Sequence, residues 1–410
     1  MLNTNPKKTF PWLKKPAVKT LAAALASGHN HKFSFVGGCI RDSIIKKSFT
    51  DIDIASSNTP NENIALLKNF GLPVIPVGIN HGTIATVIKD QHFEITTLRK
   101  DIATDGRRAA VEWTDDFYMD SQRRDFTFNA LYFNPITEEF YDYHNGLNDL
   151  INRRINFIGN TRDRINEDYL RILRYFRFFC FFADNIDKST LEIIKYLSPH
   201  LTALSIERVS QEFLKILCHP NPSKTLNLML EYEVFNHLFA ADRYSIIKFE
   251  NIIAIEKVFN LEPNLILRAA YILNNPLDAG RFLLKKTDLT AVKNTVQLKN
   301  FINQYSVVSY GEICELILHY GYENIINALI INAAGESYNK IHYIEIINKL
   351  REKSKIEFPV NGKDLIGIGL SGTDIGEYLR KIYAIFWQYP IKTKEEYLEI
   401  IKSWIKLGKK

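Results

Sequence analysis

At 410 residues the chain is long for one hydrophobic core, so two or more domains are expected. Hydrophobic residues make up 46% and charged residues 24%, the composition of a soluble globular protein, and no apolar run reaches the roughly 20 residues needed to cross a bilayer. Lys and Arg outnumber Asp and Glu by 52 to 46, and the resulting +6 is compatible with a nucleic-acid partner without requiring one.

Near the start, Lys14, Lys15 and Lys19 precede a short apolar run from Leu21 to Ala26. It is short even for the apolar region of a signal peptide, about 7–15 residues, and reads as a helix feeding the first strand. Phe33 to Val36 is β-like and ends at Gly37-Gly38, and a helical stretch follows at about 40–47. Asp51 to Ala55 alternates polar and apolar, and 60–70 is helical again. Thr83 to Lys89 and His92 to Leu98 read as two strands joined by a turn at Asp90-Gln91, with another strand at Phe140 to Tyr143. After about residue 160 the apolar period becomes helical, in 167–184, 207–217, 246–259 and 323–333. His219-Pro220-Asn221-Pro222 and Asn274-Asn275-Pro276 read as connections between helices. An α+β head is therefore followed by an all-helical remainder. Cys39, Cys180, Cys218 and Cys314 are scattered, with no CxxC pair, and read as reduced thiols of a cytoplasmic protein rather than a disulfide frame or zinc site.

Asp51 and Asp53 stand two apart on a strand, so both carboxylates project from one face. Crowded acids repel unless a hard cation such as Mg²⁺ lies between them, an arrangement suited to phosphoryl transfer. Alternating acids on a strand are more often simply a solvated face. The preceding segment changes the odds. Gly37 and Gly38 follow a strand and open a helix, where bare N–H groups can cradle phosphate, and Arg41 can add a charge-assisted bond.

Together, GGCIRD at 37–42 and DIDIA at 51–55 resemble the first motif of the class II tRNA nucleotidyltransferase and bacterial poly(A) polymerase family. The resemblance implies a nucleotidyltransferase-fold head with a small mixed β-sheet, followed by an all-α neck, body and tail. QRRDFTFNAL at 122–131 looks like the family's second block, which implies that Arg124 touches the incoming nucleotide. Asp142 and Asn145-Gly146-Leu147-Asn148-Asp149-Leu150 resemble a family turn, in which the glycine would make the turn and Asp149 would cap a following element.

EDYLRILRYFRF at 167–178 places Glu167, Arg171 and Arg174 on one helical ridge, with Arg177 one step round. Taken alone, this is a solvated face of Glu–Arg pairs. By resemblance to the family's EDxxRxxRxxRF motif, Asp168 and Arg171 are the template that reads the base, and Arg174 and Arg177 help to hold the nucleotide. The chemistry agrees, because a carboxylate accepts from an exocyclic amino group while a guanidinium donates to a ring nitrogen. Cytosine and adenine present that pattern and guanine and uracil the reverse, so a wrong base leaves polar groups unpaired at about 1–3 kcal/mol or more.

The charged connection at 99–122, with Gly106, Arg107 and Arg108, looks like the family's flexible loop, whose presence favours an enzyme that adds all of CCA. Glu94 is a candidate third acid of the metal site. Glu207-Arg208-Val209 with Glu212 resembles a fifth, structural motif. Asn361-Gly362-Lys363-Asp364-Leu365 resembles the tail of many CCA enzymes, although Ser371-Gly372 stands where the family has Pro-Gly. Lys402, Lys406, Lys409 and Lys410 could touch tRNA phosphates.

The resemblance assigns residues 1–158 to a catalytic head, 159–240 to a helical nucleotide-selecting neck, and 241–410 to a tRNA-binding body and tail. It implies Mg²⁺-dependent addition of CMP and AMP, from CTP and ATP, to the tRNA acceptor end, with no membrane and an unassigned oligomeric state. The alternatives are a bacterial poly(A) polymerase and a non-catalytic RNA-binding relative.

Overall fold

The structure is a computed structural model that describes residues 9–28, 32–104, 109–239, 241–282, 284–304, 308–335, 339–390 and 392–408. The chain divides into two compact units, Met1–Leu204 and Ser205–Lys410. The division falls within the stretch 159–240 that the sequence groups as a neck.

The first unit is built on a seven-stranded sheet in the order β3-β4-β5-β2-β1-β8-β9. Its strands are β1 (Phe33–Val36), β2 (Asp51–Ser56), β3 (Ile75–Gly78), β4 (Thr83–Ile88), β5 (Gln91–Thr97), β8 (Leu131–Phe133) and β9 (Phe140–Asp142). Only β2 and β5 run parallel, which makes the sheet mixed. Alternation sorts its two faces. Phe35, Ile52, Ile54, Ile84, Phe93 and Ile95 are fully buried, and their paired register puts them on one side. Asp51, Asp53 and Glu94 belong to the other side. There Val36, Ala55, Leu98, Ala130, Tyr132 and Ile158 form a smaller apolar cluster.

Helix α1 (Pro16–Ala26) packs against α3 (Pro60–Asn69), and α2 (Gly38–Ile44) springs directly from β1. A capping box at Thr59 and Glu62 starts α3. The β4–β5 hairpin turns on Lys89 and Asp90, both at positive φ, one residue before the expected Asp90-Gln91.

The connection at 99–122 is not an open loop. β6 (Arg99–Thr104) and β7 (Ala109–Trp113) pair antiparallel as a separate ribbon, and α4 (Phe117–Gln122) follows. Periodicity missed the ribbon because neither RKDIAT nor AAVEW alternates cleanly between polar and apolar residues. Gly106, Arg107 and Arg108 lie outside the described residues.

The turn at 142–150 also differs from expectation. Asp142, not Asp149, caps α5 (Gly146–Ile151), accepting from the N–H groups of Gly146 at 2.8 Å and Leu147 at 2.9 Å. Asn145 takes the left-handed backbone at φ 58°. Gly146 is needed for a close approach instead: a Cβ there would stand 2.2 Å from the Thr127 carbonyl oxygen. Asp149 accepts from Thr127 Oγ1 at 2.7 Å and Asn156 Nδ2 at 2.9 Å, which ties α5 to the 122–131 block. Gly146→Ala is therefore expected to destabilise the protein by about 3 kcal/mol or more, read from the midpoint of urea unfolding.

The unit continues through α6 (Thr161–Glu167), α7 (Leu170–Phe181) and α8 (Lys188–Leu197). The second unit holds twelve α-helices among its described residues, from Ile206–Leu217 to Lys394–Gly408, and no strand. In it, Asn361 and Asp364 form a capping box, and Asp364 pairs with Lys394 at 2.5 Å. Lys402 pairs with Glu399 at 2.6 Å, whereas Lys409 and Lys410 lie outside the described residues.

Candidate active site

The two acids sit where the sheet places them. Asp51 pairs in register with His92, and Asp53 with Glu94 on β5 and Val36 on β1. Glu94 therefore shares the face of Asp53, which the sequence alone left open, because the β2–β5 pairing is a distant parallel one. Asp51 reaches into solvent, with its carboxylate 3.6 Å from His92 Nδ1. Asp53 is held deeper. Burial first, then the charges of Glu94 and Asp51, push its carboxyl up to about 6, against the pull of Arg124 and Arg41.

This donor set fits a hard divalent cation. It offers carboxylate oxygens on one face and is short of positive charge at Asp53. Among the described residues no three His, Cys, Asp or Glu side chains meet at one ligand point. Two carboxylates with the remaining positions left to phosphate and water is the usual manner of Mg²⁺.

Gly37 closes the turn between β1 and α2 at φ 72°. A Cβ there would lie 3.6 Å from Asp53 Oδ2 and 3.9 Å from an Arg124 guanidinium nitrogen, so acid and arginine face each other across a bare backbone. Gly38 begins α2. Arg41 is already committed: it grips Asp42 with two bonds at 2.8 and 2.7 Å and donates to Asn129 Oδ1 at 2.7 Å.

Arg124 is fixed from behind by a residue that sequence reading missed. Asp120 is fully buried and accepts from Arg124 at 3.1 and 3.2 Å, Arg123 at 2.7 and 2.8 Å, and the Tyr132 hydroxyl at 2.8 Å. Burial would raise its carboxyl, but the Arg124 and Arg123 charges outweigh that and hold it below the usual carboxylate range. The signal was present, because Asp120 lies three and four residues before the two arginines. Asp125 plays the same part for the neck. It accepts from Arg174 Nε at 2.6 Å and Asn129 Nδ2 at 2.9 Å. Its burial is outweighed by Arg174 and these bonds, so its carboxyl sits at about 2.

The 167–178 segment is not one helix. α6 ends at Glu167 and α7 begins at Leu170, with Asp168 extended between them at φ −158° and ψ 104°. Asp168 lies before the helix and accepts from the Leu170 N–H at 3.1 Å. Unbroken apolar periodicity without Gly or Pro concealed this break. Arg171 reaches back over it, donating to Glu167 at 2.6 Å and to the Arg164 carbonyl at 2.6 Å. Arg164 is buried, pairs with Glu167, and donates to the carbonyls of Arg123 at 2.7 Å and Arg124 at 2.5 Å. It links the segment that carries Asp168 and Arg171 to the arginine facing Asp53. A second link runs through Phe178: Arg41, Arg174 and Arg177 stand 4.9, 5.8 and 4.5 Å from its ring centre.

Two family models match the chain: a poly A polymerase head domain over residues 33–156, and a probable RNA and SrmB-binding site of polymerase A over 185–241. The CCA-adding enzyme of Staphylococcus epidermidis is 31% identical, with the alignment covering 92% of this chain and 95% of the relative. A mitochondrial CCA tRNA nucleotidyltransferase 1 from Mus musculus is 28% identical over 96% of this chain and 92% of its own length. The fold is shared with the Bacillus stearothermophilus CCA-adding enzyme in complex with CTP, at TM-score 0.71 and 23% identity, covering 96% of this chain and 99% of that one. It is shared too with the Thermotoga maritima CCA-adding enzyme complexed with tRNA, at TM-score 0.69 and 22% identity, covering 97% and 98%.

Proposed function

The chain belongs to the CCA-adding enzyme family, and from that premise we infer that it builds or repairs the CCA end of tRNA, with the site residues described above as its working parts. It adds CMP and AMP to the tRNA 3′ end without a nucleic-acid template and releases pyrophosphate. The observation that carries the site assignment is one connected path: Asp53 and the Arg124 guanidinium flank Gly37, Arg164 bonds the Arg124 carbonyl, and Arg171 bonds the Arg164 carbonyl and shares Glu167 with Arg164.

In this reading Asp51 and Asp53 would hold Mg²⁺, which supplies activation of the attacking hydroxyl and charge neutralisation at the leaving pyrophosphate. Gly37 and Gly38 let the triphosphate approach the backbone closely. Arg124, held rigid by Asp120, presents a preorganised charge to the nucleotide. The tRNA 3′ hydroxyl attacks the α-phosphate, forming one O–P bond as the bond to the β-phosphate bridge breaks. Asp168 and Arg171 read the amino and ring-nitrogen edge common to C and A. Arg174 and Arg177 hold the nucleotide beside them. Residues 1–158 serve as the catalytic head, 159–240 as the neck, and 241–410 as the part that grips the acceptor end. No helix of the described residues is long and apolar enough to cross a membrane. Cys39, Cys180, Cys218 and Cys314 form no disulfide, and a reducing cytoplasm belongs to the same reading.

Incorporation on tRNA lacking its last three nucleotides tests the specificity. CTP alone is expected to add two residues and ATP alone none, while both together complete the end. Runs of A from ATP alone would instead make the chain a poly(A) polymerase.

A further inference from the structure

Asp168 is the one extended residue between two helices, so something must keep its flanks from joining into continuous helix. Its own Oδ1, bonded to the Leu170 N–H, starts α7 but does not fix the angle at which α6 arrives. Tyr169 supplies a second constraint. Its ring lies flat on the His200 imidazole, with centroids 4.5 Å apart and planes 12° from parallel. His200 belongs to a 3₁₀ turn, Ser198–Ala203, that follows α8. That turn is anchored by buried Ser198 and Leu201, and Ser198 Oγ donates to the Lys195 carbonyl at 2.9 Å. α8 in turn packs on α6. The stack therefore braces the helix break against a corner that lies two helices further along the chain.

We propose that His200 is a positioning residue for base selection: by clamping the Tyr169 ring it holds the neighbouring Asp168 in the extended backbone that presents its carboxylate. The proposal rests on the reading of Asp168 as part of the base reader. Flat contact between rings, not the protonation of the imidazole, does the work, so any planar aromatic side chain of similar size at 200 should serve. A stacked pair holds a side chain with an energy that corresponds to about a three- to tenfold change in an equilibrium.

The test compares kcat/KM for CTP with that for UTP on tRNA lacking its end, in the full-length protein. His200→Ala is expected to lower this ratio by about three- to tenfold, chiefly through a higher KM for CTP with kcat nearly kept. His200→Phe should restore it to within about twofold of the parent. Tyr169→Leu breaks the stack from the other side and should match His200→Ala; it carries the test if His200→Ala fails to fold. An unchanged ratio in both stack-breaking variants, or a His200→Phe as loose as His200→Ala, overturns the proposal. Asp168→Ala separates the two levels. If it loosens selection while the stack variants do not, the base reader stands and only the brace is lost. If it leaves selection intact, the base reader itself falls, and the brace with it.

Discussion

Asp53→Asn is expected to abolish nucleotide addition while making the protein more stable. The substitution keeps size and shape but removes one of the two carboxylates assigned to the metal, and a loss on the order of a thousandfold or more in the rate of CMP transfer follows. tRNA binding, measured by filter retention, should stay near the parent value. The stability gain comes from the same burial that raises the Asp53 carboxyl to about 6. A group whose folded pKa lies above its unfolded value of about 3.9 binds its proton more tightly in the folded state, so folding loses stability as pH rises from about 4 to about 6. Without divalent ions, the Asp53→Asn variant should therefore be more stable than the parent by about 2–3 kcal/mol at pH 7, and the gap should close below about pH 4. Added Mg²⁺ should narrow it by stabilising the parent alone. A variant that is inactive and less stable at every pH would mean that Asp53 supports the fold instead of the chemistry.

What the residues disclosed in order, and what they withheld, follows from the range of the forces involved. Asp51 and Asp53 were legible because period two is local to a strand. So were the capped helix at Pro60–Asn69 and the switch to helical period near residue 160. Glu94 was not, since its direction depends on a parallel pairing with a strand far earlier in the chain. Gly146 looked like a turn residue, but it is the Thr127 carbonyl, brought close by tertiary packing, that demands glycine there. The break at Asp168 was hidden by intact apolar spacing on both sides, and a side-chain cap combined with the His200 stack overrides the local preference. The roles of Asp120 and Asp125 were obscured for another reason. Charged residues are read by default as surface, and only the fold shows these two buried with arginines around them.

Asp120→Ala is expected to be among the most destabilising single changes outside the apolar core. It would remove the acceptor shared by Arg123, Arg124 and the Tyr132 hydroxyl and leave the largely buried Arg124 guanidinium without its bonded counter-ion. Breaking a buried pair from one side costs about 3–5 kcal/mol, because the remaining ion keeps its desolvation penalty. Asp120→Asn retains the shape and one acceptor, so about 1–3 kcal/mol is expected for it. Arg124 should then no longer face Asp53 across Gly37 in a fixed position, so both variants should lose activity through kcat. The pH dependence identifies the cause. The Asp120 carboxyl is held below its ordinary range, so its contribution is fully present above the unfolded pKa of about 3.9 and is lost as pH falls toward the folded value. Urea midpoints of the parent and Asp120→Ala should therefore differ most at neutral pH and converge as the solution is acidified below about pH 4. A gap of constant size across that range would assign the loss to a packing void instead of to the stranded charge.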